Sequence, residues 1–180
     1  MRHTVHFLCP VNMSTVSGLQ DACLKALGNG ATQINLHISS PGGELLAGFT
    51  AYHFLKSLPV PLYTHNLSNV ESIATVIYLA GSDRRVNPGS RFLIHPLQWG
   101  FTNHAADHAR IAEWVRSLDN DMNRFIDILT AETKNSGTDW YAKMESASFI
   151  DAESAVNYGL ADSESRATLE GSITNWWVNC

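Results

Sequence analysis

The sequence predicts an α/β domain built on crossover connections, and three observations carry that prediction. Strand-like and helix-like segments alternate along the 180 residues. The run Ile34-Asn35-Leu36-His37-Ile38-Ser39 alternates apolar and polar side chains, which is the period of a strand. Ile111, Val115, Leu118, Met122, Phe125 and Leu129 recur at threes and fours, which is the period of a helix over about 103–133. The length suits a single domain, 1–180, with enough chain to bury a core.

The elements follow in order. Val5-His6-Phe7-Leu8-Cys9 reads as a strand that Pro10 ends. Ser14 or Thr15 caps a helix to about Leu27, and Gly28-Asn29-Gly30 stops it. After the strand ending at Ser39, Pro41-Gly42-Gly43 breaks the chain. A helix through Leu45, Leu46, Phe49, Tyr52 and Leu55 ends before Pro59 and Pro61. Leu62-Tyr63-Thr64-His65 is a short strand, and a helix over 72–80 closes at Gly81. Arg84-Arg85-Val86-Asn87-Pro88 reads as a turn, and Arg91-Phe92-Leu93-Ile94-His95 as a strand. Residues 148–150 form a short strand, and Asp151 caps a helix ending at Gly159. The tail from Asp162 is weakly patterned. Its Trp176-Trp177 pair is expected to pack on the core or on a neighbouring subunit.

Composition excludes several classes. A chain 44% hydrophobic and 16% charged is not disordered. Twelve Lys+Arg against 17 Asp+Glu, a formal charge of −5, argues against a nucleic-acid partner. The longest apolar run, 73–80, is too short to span a bilayer, and the N-terminus has no signal-like apolar region, so no membrane association is expected. Cys9, Cys23 and Cys180 form no CxxC pair, and free thiols in a reducing cytoplasm are expected. Eight histidines invite a metal reading. His104 and His108 lie four apart with Asp107 between them, but no third ligand has a matching spacing, so a solvated helix face and no metal or cofactor are expected.

Three short segments carry residues suited to chemistry. Ser39-Ser40-Pro41-Gly42-Gly43 joins a strand to a helix, and its glycines let backbone amides turn outward as an oxyanion hole does. The alternative is an ordinary turn. Ser72 opens an apolar helix, where a base could activate its hydroxyl and the helix dipole and the Ile73 amide would meet the developing charge. The alternative is an N-cap serine. His95 ends an apolar strand, where it could project at the sheet's carboxyl edge, and an imidazole is the side chain suited to general-base work. The alternative is a histidine satisfied within the core.

Together, in this order, the three segments resemble the ClpP-like serine peptidases, the proteolytic subunits of the Clp protease. The resemblance runs over about 34–162. It is carried by Ile34-Asn35-Leu36-His37-Ile38-Ser39-Ser40-Pro41-Gly42-Gly43, Ser72, Pro88-Gly89-Ser90-Arg91-Phe92-Leu93-Ile94-His95, and Ala155-Val156-Asn157-Tyr158-Gly159-Leu160-Ala161-Asp162. It implies the family's ββα superhelix, shared with crotonases, with the long helix near 104–133 as a protruding handle. It implies Ser72 as nucleophile, His95 as general base, and the amides of Gly43 and Ile73 as oxyanion hole. The reaction would be acyl transfer to Ser72 and hydrolysis of the acyl-enzyme. The substrates would be peptides or unfolded segments, the assembly a ring-forming homo-oligomer.

The sequence departs from the family pattern at four places. The nucleophile usually sits among Gly and Ala, whereas Glu71 here puts a carboxylate beside the developing oxyanion. Ser72 and His95 are a couple of residues closer, the gap falling in a loop around Ser82-Asp83-Arg84. The place of the triad acid is Ala147, with Glu145 two residues upstream as the candidate third member. The segment forming the family's axial loops has no counterpart, so an unfoldase ATPase is not expected as partner. Two other functions stay open. One is a catalytically impaired ClpP-like structural or regulatory subunit of an active paralogue. The other is a crotonase-type acyl-thioester enzyme, for which Arg84-Arg85 is the only basic cluster.

Overall fold

Residues 1–98, 100, 105–169 and 175–180 are described by the computed structural model. The chain opens with β1 (Arg2–Phe7) and α1 (Met13–Gly28). The cap of α1 is Asn12, not Ser14 or Thr15: its side chain accepts from Thr15 N–H at 2.9 Å, and Thr15 Oγ1 accepts from Asn12 N–H at 3.0 Å. This reciprocal pair satisfies two amides that a helix start leaves open. Next come β2 (Gln33–Ser40), α2 (Leu45–Lys56), β3 (Leu62–Glu71) and α3 (Ala74–Leu79). Then follow β4 (Asp83–Val86), β5 (Arg91–Ile94), α4 (His108–Glu132) and α5 (Gly137–Glu145). The described chain ends with β6 (Ser148–Asp151), α6 (Ala152–Asn157), β7 (Ser163–Glu164) and β8 (Asn175–Trp177).

The strands join in one sheet whose main path is β6-β5-β3-β2-β1-β8. Every pairing is parallel except β5 with β6. The central strand β3 is longer than predicted because it has three partners. One edge pairs β2. The other pairs β4 over Tyr63 to Asn66 and then β5 over Asn69 to Glu71. The segment read as a turn and loop around 82–86 is therefore a strand. The register against β2 shifts between Ile38 and Ser40, so the last residues of β3 are offset just before Ser72.

The two sheet faces differ. Val5, Phe7, Ile34, Leu36 and Ile38 are fully buried and form the core with Val16, Leu19, Phe49, Ile77 and Leu79 of the helices. On the other face, His6, His37 and His65 stand opposite one another on β1, β2 and β3. Their rings meet edge to face, with centroids 5.1 Å and 5.8 Å apart.

Burial, and then the neighbouring His6 and His65, lower the His37 pKa from 6.5 to about 4. The fold therefore accepts the neutral ring, whereas the unfolded chain protonates it near 6.5. The contribution of His37 is intact above pH 6.5 and is lost as pH falls toward 4. The urea midpoint should decline across that window, and decline less in His37→Gln, as equilibrium unfolding at pH 7, 5.5 and 4.5 would show.

The long helix α4 begins later than predicted. Asp107 caps it, accepting from Arg110 N–H at 2.9 Å. Its 25 residues extend about 37 Å. Only Phe125, Ile126 and Leu129 are buried, while Ile111 and Val115 are exposed. In the tail, Trp176 packs on the core as expected, while the cysteines do not follow the sequence reading. Strand β8 pairs β1, so Trp176 donates from Nε1 to His3 Nδ1 at 3.1 Å and Trp177 stacks on His6 at 4.0 Å. The same pairing brings Cys180 to Cys9, with Cα atoms 5.5 Å apart, and the two form a disulfide. Two of the three thiols expected to be free are thus bonded. Cys23 alone is free, and its burial pushes its pKa up to about 12. Among the described residues no helix is long and apolar enough to cross a membrane.

Candidate active site

The sharp connection from β3 to α3 presents Ser72. Its φ is +53°, in the left-handed region that serine seldom enters. Such strain, of order 1–3 kcal/mol, persists only where surrounding contacts enforce it. Here the Ser72 N–H donates to Leu93 O of β5 at 2.7 Å, and Thr75 N–H donates to Ser72 O at 3.0 Å. Ser72 is not an N-cap: the cap of α3 is Ile73, without a side-chain cap bond. Ser72 is 8% exposed, and no partner engages its hydroxyl among the described residues. An unpartnered hydroxyl on a strained strand-to-helix turn is the arrangement of an activated nucleophile.

The Pro41-Gly42-Gly43 turn reaches the same corner. Gly42 has φ +86°, and a Cβ there would lie 2.7 Å from both Glu71 O and Ser72 Cβ. Only glycine lets this backbone approach the elbow so closely. Val11 holds the turn in place, donating to Gly42 O and accepting from Glu44 N–H, each at 2.8 Å. These two bonds flank Gly43 and leave its own amide outside the ladder. Among the described residues no acceptor takes the Gly43 or the Ile73 amide hydrogen. Because α3 has only six residues, these amides rather than a macrodipole would carry anion stabilisation.

His95 directly follows β5, two residues after the Leu93 carbonyl that holds Ser72. It is half-buried. Its Nδ1 lies 2.7 Å from Pro96 O. A carbonyl is only an acceptor, so the neutral ring carries its proton on Nδ1 and keeps a lone pair on Nε2. No hydrogen bond joins His95 to Ser72 among the described residues.

The register of β5 against β6 identifies what faces His95. Leu93 opposes Phe149 and Ile94 opposes Ser148, so the next opposed position to His95 is Ala147. Ala147 itself has φ +50°. Asp and Asn enter that region more readily than alanine. The backbone there suits an acidic residue, and the methyl group supplies none. Glu145 ends α5, is exposed, and shares a hollow with Pro96, Leu97, Met122 and Met144. No bond joins it to His95 among the described residues. Asp151 caps α6, accepting from Ser154 N–H at 2.8 Å, as its sequence position indicated.

The concern over Glu71 is met by Arg91, which sequence inspection passed over. Arg91 donates from Nη2 to Glu71 Oε1 at 3.1 Å, and Asn69 donates to the same oxygen at 3.2 Å. The guanidinium also lies over the Phe149 ring, 4.8 Å from its centroid. The carboxylate beside Ser72 is therefore compensated. Glu71→Gln should change peptide-hydrolysis kcat by less than about fivefold, the range of a surface ion pair. A larger gain, measured with a short fluorogenic peptide, would mean that Glu71 still opposes the oxyanion. Among the described residues no group of three His, Cys, Asp and Glu is placed to hold a metal, and His104 lies outside them.

Comparisons with known proteins bear on the fold and the family. A curated "ATP-dependent Clp protease proteolytic subunit" of Deinococcus radiodurans is 29% identical over 136 residues, covering 74% of this chain and 65% of that relative. The chain thus matches just under two thirds of that relative's length. Among solved structures, a mutant of ClpP1 from Listeria monocytogenes superposes with a TM-score of 0.82 over 92% of each chain at 18% identity, which shows the shared fold. The Clp protease family model matches residues 10–165, extending the resemblance seen in the sequence back through α1. With the fold and most of the chain so matched, this protein belongs to the Clp protease family.

Proposed function

We propose that the chain is a serine peptidase that hydrolyses peptide bonds through an acyl-enzyme on Ser72. The observation that carries this reading is the strained Ser72 elbow, with the Gly43 and Ile73 amides unengaged beside it. His95 Nε2 takes the Ser72 proton as Oγ attacks the scissile carbonyl, and the two amides receive the oxyanion. The histidine then gives that proton to the leaving amine. Water, activated in the same way, releases the acyl group and restores Ser72. No metal or cofactor enters the scheme. Short peptides or unfolded segments are the substrates. The exposed Ile111 and Val115 on α4 support assembly with further copies of the chain into a ring. The cytoplasmic setting rests on the resemblance alone, since the free-thiol argument is withdrawn with the Cys9–Cys180 disulfide.

A second reading has its own observation. Ala147 stands where His95 would need a carboxylate, and His95 engages Pro96 instead. On this reading the chain is a catalytically impaired subunit that supports an active paralogue.

A fluorophosphonate probe separates the two. Labelling of the wild type that is lost in Ser72→Ala, together with peptide cleavage, supports the peptidase. No labelling and no cleavage would overturn it. Inertness alone combined with co-assembly with an active ClpP-like paralogue would support the second reading.

A further inference from the structure

Strand β8 has only three residues, yet its seat against β1 is built from several parts. Trp176 and Trp177 pack on His3 and His6, and His6 Nε2 donates to Asn175 Oδ1 at 2.9 Å. Val178 N–H donates to His6 O at 3.0 Å, and the Val178 side chain is buried against Gly18 of α1. A Cβ at Gly18 would stand 3.2 Å from Val178 Cγ1, so the helix leaves room for the strand. A ladder this short at a sheet edge opens readily on its own. The Cys9–Cys180 disulfide closes its far end. The two residues of that bond differ in access: Cys9 is fully buried, and Cys180 is exposed.

We propose that this disulfide is a redox latch: reduction frees β8 from β1 and loosens the hold of Val11 on the Gly42–Gly43 turn. Exposed disulfides are the reducible, regulatory kind, and in the cytoplasmic setting proposed above a permanent structural one would be rare. A dithiol reductant attacks Cys180 Sγ as its thiolate. The S–S bond breaks, and Cys9 leaves with the electron pair and takes a proton. The second thiol of the reductant then displaces Cys180 from the mixed disulfide. The protein gains two electrons and two protons, and the reductant ends as its own disulfide. The Cys9 and Cys180 sulfurs lie 3.5 Å from Val178 O and 3.7 Å from Leu8 O, but S–H is a weak donor and does not replace the covalent link. Cys23 takes no part, since burial pushes its thiol up to about 12. The path to the turn is short. Pro10, with its fixed φ, joins Cys9 to Val11, and Val11 bridges Gly43 and holds Gly42 O and Glu44 N–H. Releasing Cys9 from the tail therefore frees one end of the segment that holds the turn. None of this requires Ser72 to be the nucleophile.

Hydrogen exchange of the full chain at pH 7, read by mass spectrometry, tests the proposal. Oxidised glutathione sets the oxidised state and dithiothreitol the reduced one, and thiol counts on the denatured protein should give one and three per chain. Reduction should speed exchange in the peptide containing Val178 about tenfold or more, and in those containing Val11 and Glu44 about threefold. Peptides from the middle of β2 and β3 should change less than about twofold. Cys180→Ser should match the reduced wild type with or without dithiothreitol. The latch is overturned by three thiols after oxidation, by equal exchange around Val178 in the two states, or by a Cys180→Ser variant that exchanges like the oxidised wild type. It is overturned too if β2 and β3 quicken as much as β8, which would make the bond a general staple of the fold. A freed Val178 with Val11 and Glu44 unchanged would overturn the link to the turn.

Discussion

Ala147→Asp should raise peptide-hydrolysis kcat by about two decades, part of the roughly four that loss of the acid removes from a serine triad. The antiparallel register ends at Ile94 and Ser148, and its continuation by one residue brings position 147 opposite His95. The native φ of +50° at that position is one aspartate adopts more readily than alanine, so the exchange should not strain the fold. A carboxylate there would compete with Pro96 O for the His95 Nδ1–H, turn the ring, and stabilise the imidazolium formed as Ser72 loses its proton. Ala147→Asn, nearly the same shape without the charge, should recover less and so separates orientation from charge. Steady-state kinetics on one fluorogenic peptide would suffice. Equal rates for wild type and both variants would mean that the Pro96 carbonyl already orients His95, or that His95 is not the base.

Gly43→Ala should damage both fold and activity. Gly43 has φ +150°, and an added Cβ would collide with the Val11 carbonyl oxygen, a backbone atom that cannot swing aside. Strain and overpacking together should destabilise by about 3 kcal/mol. For a chain of this size that lowers Tm by roughly 6–12 °C. On the proposed mechanism the same displacement moves the Gly43 amide of the oxyanion hole, with an expected loss of about 100-fold in kcat or more. Gly89→Ala is the control. Its φ is +78°, but a Cβ there meets nothing within 4 Å, so only the backbone term of about 1 kcal/mol is expected. If Gly43→Ala melted and hydrolysed like Gly89→Ala, the turn would have no part in the site.

The candidate nucleophile and its surroundings were legible because each occupies a local signal. Gly42 and Gly43 interrupt a strand–helix junction, Ser72 opens an apolar helix, and His95 closes an apolar strand. Position 147 was also legible, from its offset to Phe149 and Ile150. What escaped were features set by distant partners. Strand β4 reads as a turn because Asp83-Arg84-Arg85 is charged, and it becomes a strand because the long edge of β3 offers it hydrogen bonds. Strands β7 and β8 are too short to show a period and exist only against β4 and β1. Helix α5 passed unread because nine residues give little periodicity.

The sequence by itself determined the α/β class, the order of the main elements, the family and the residues that could carry the chemistry. Those rest on side-chain period and on turn residues, which act over a few positions. The tertiary structure alone decided that Arg91 compensates Glu71, that Pro96 engages His95, and that Cys9 joins Cys180 across 171 positions. It alone laid three histidines and Arg85 in one row. Strand register sets which residues stand opposite one another, and register is fixed only when the whole sheet forms.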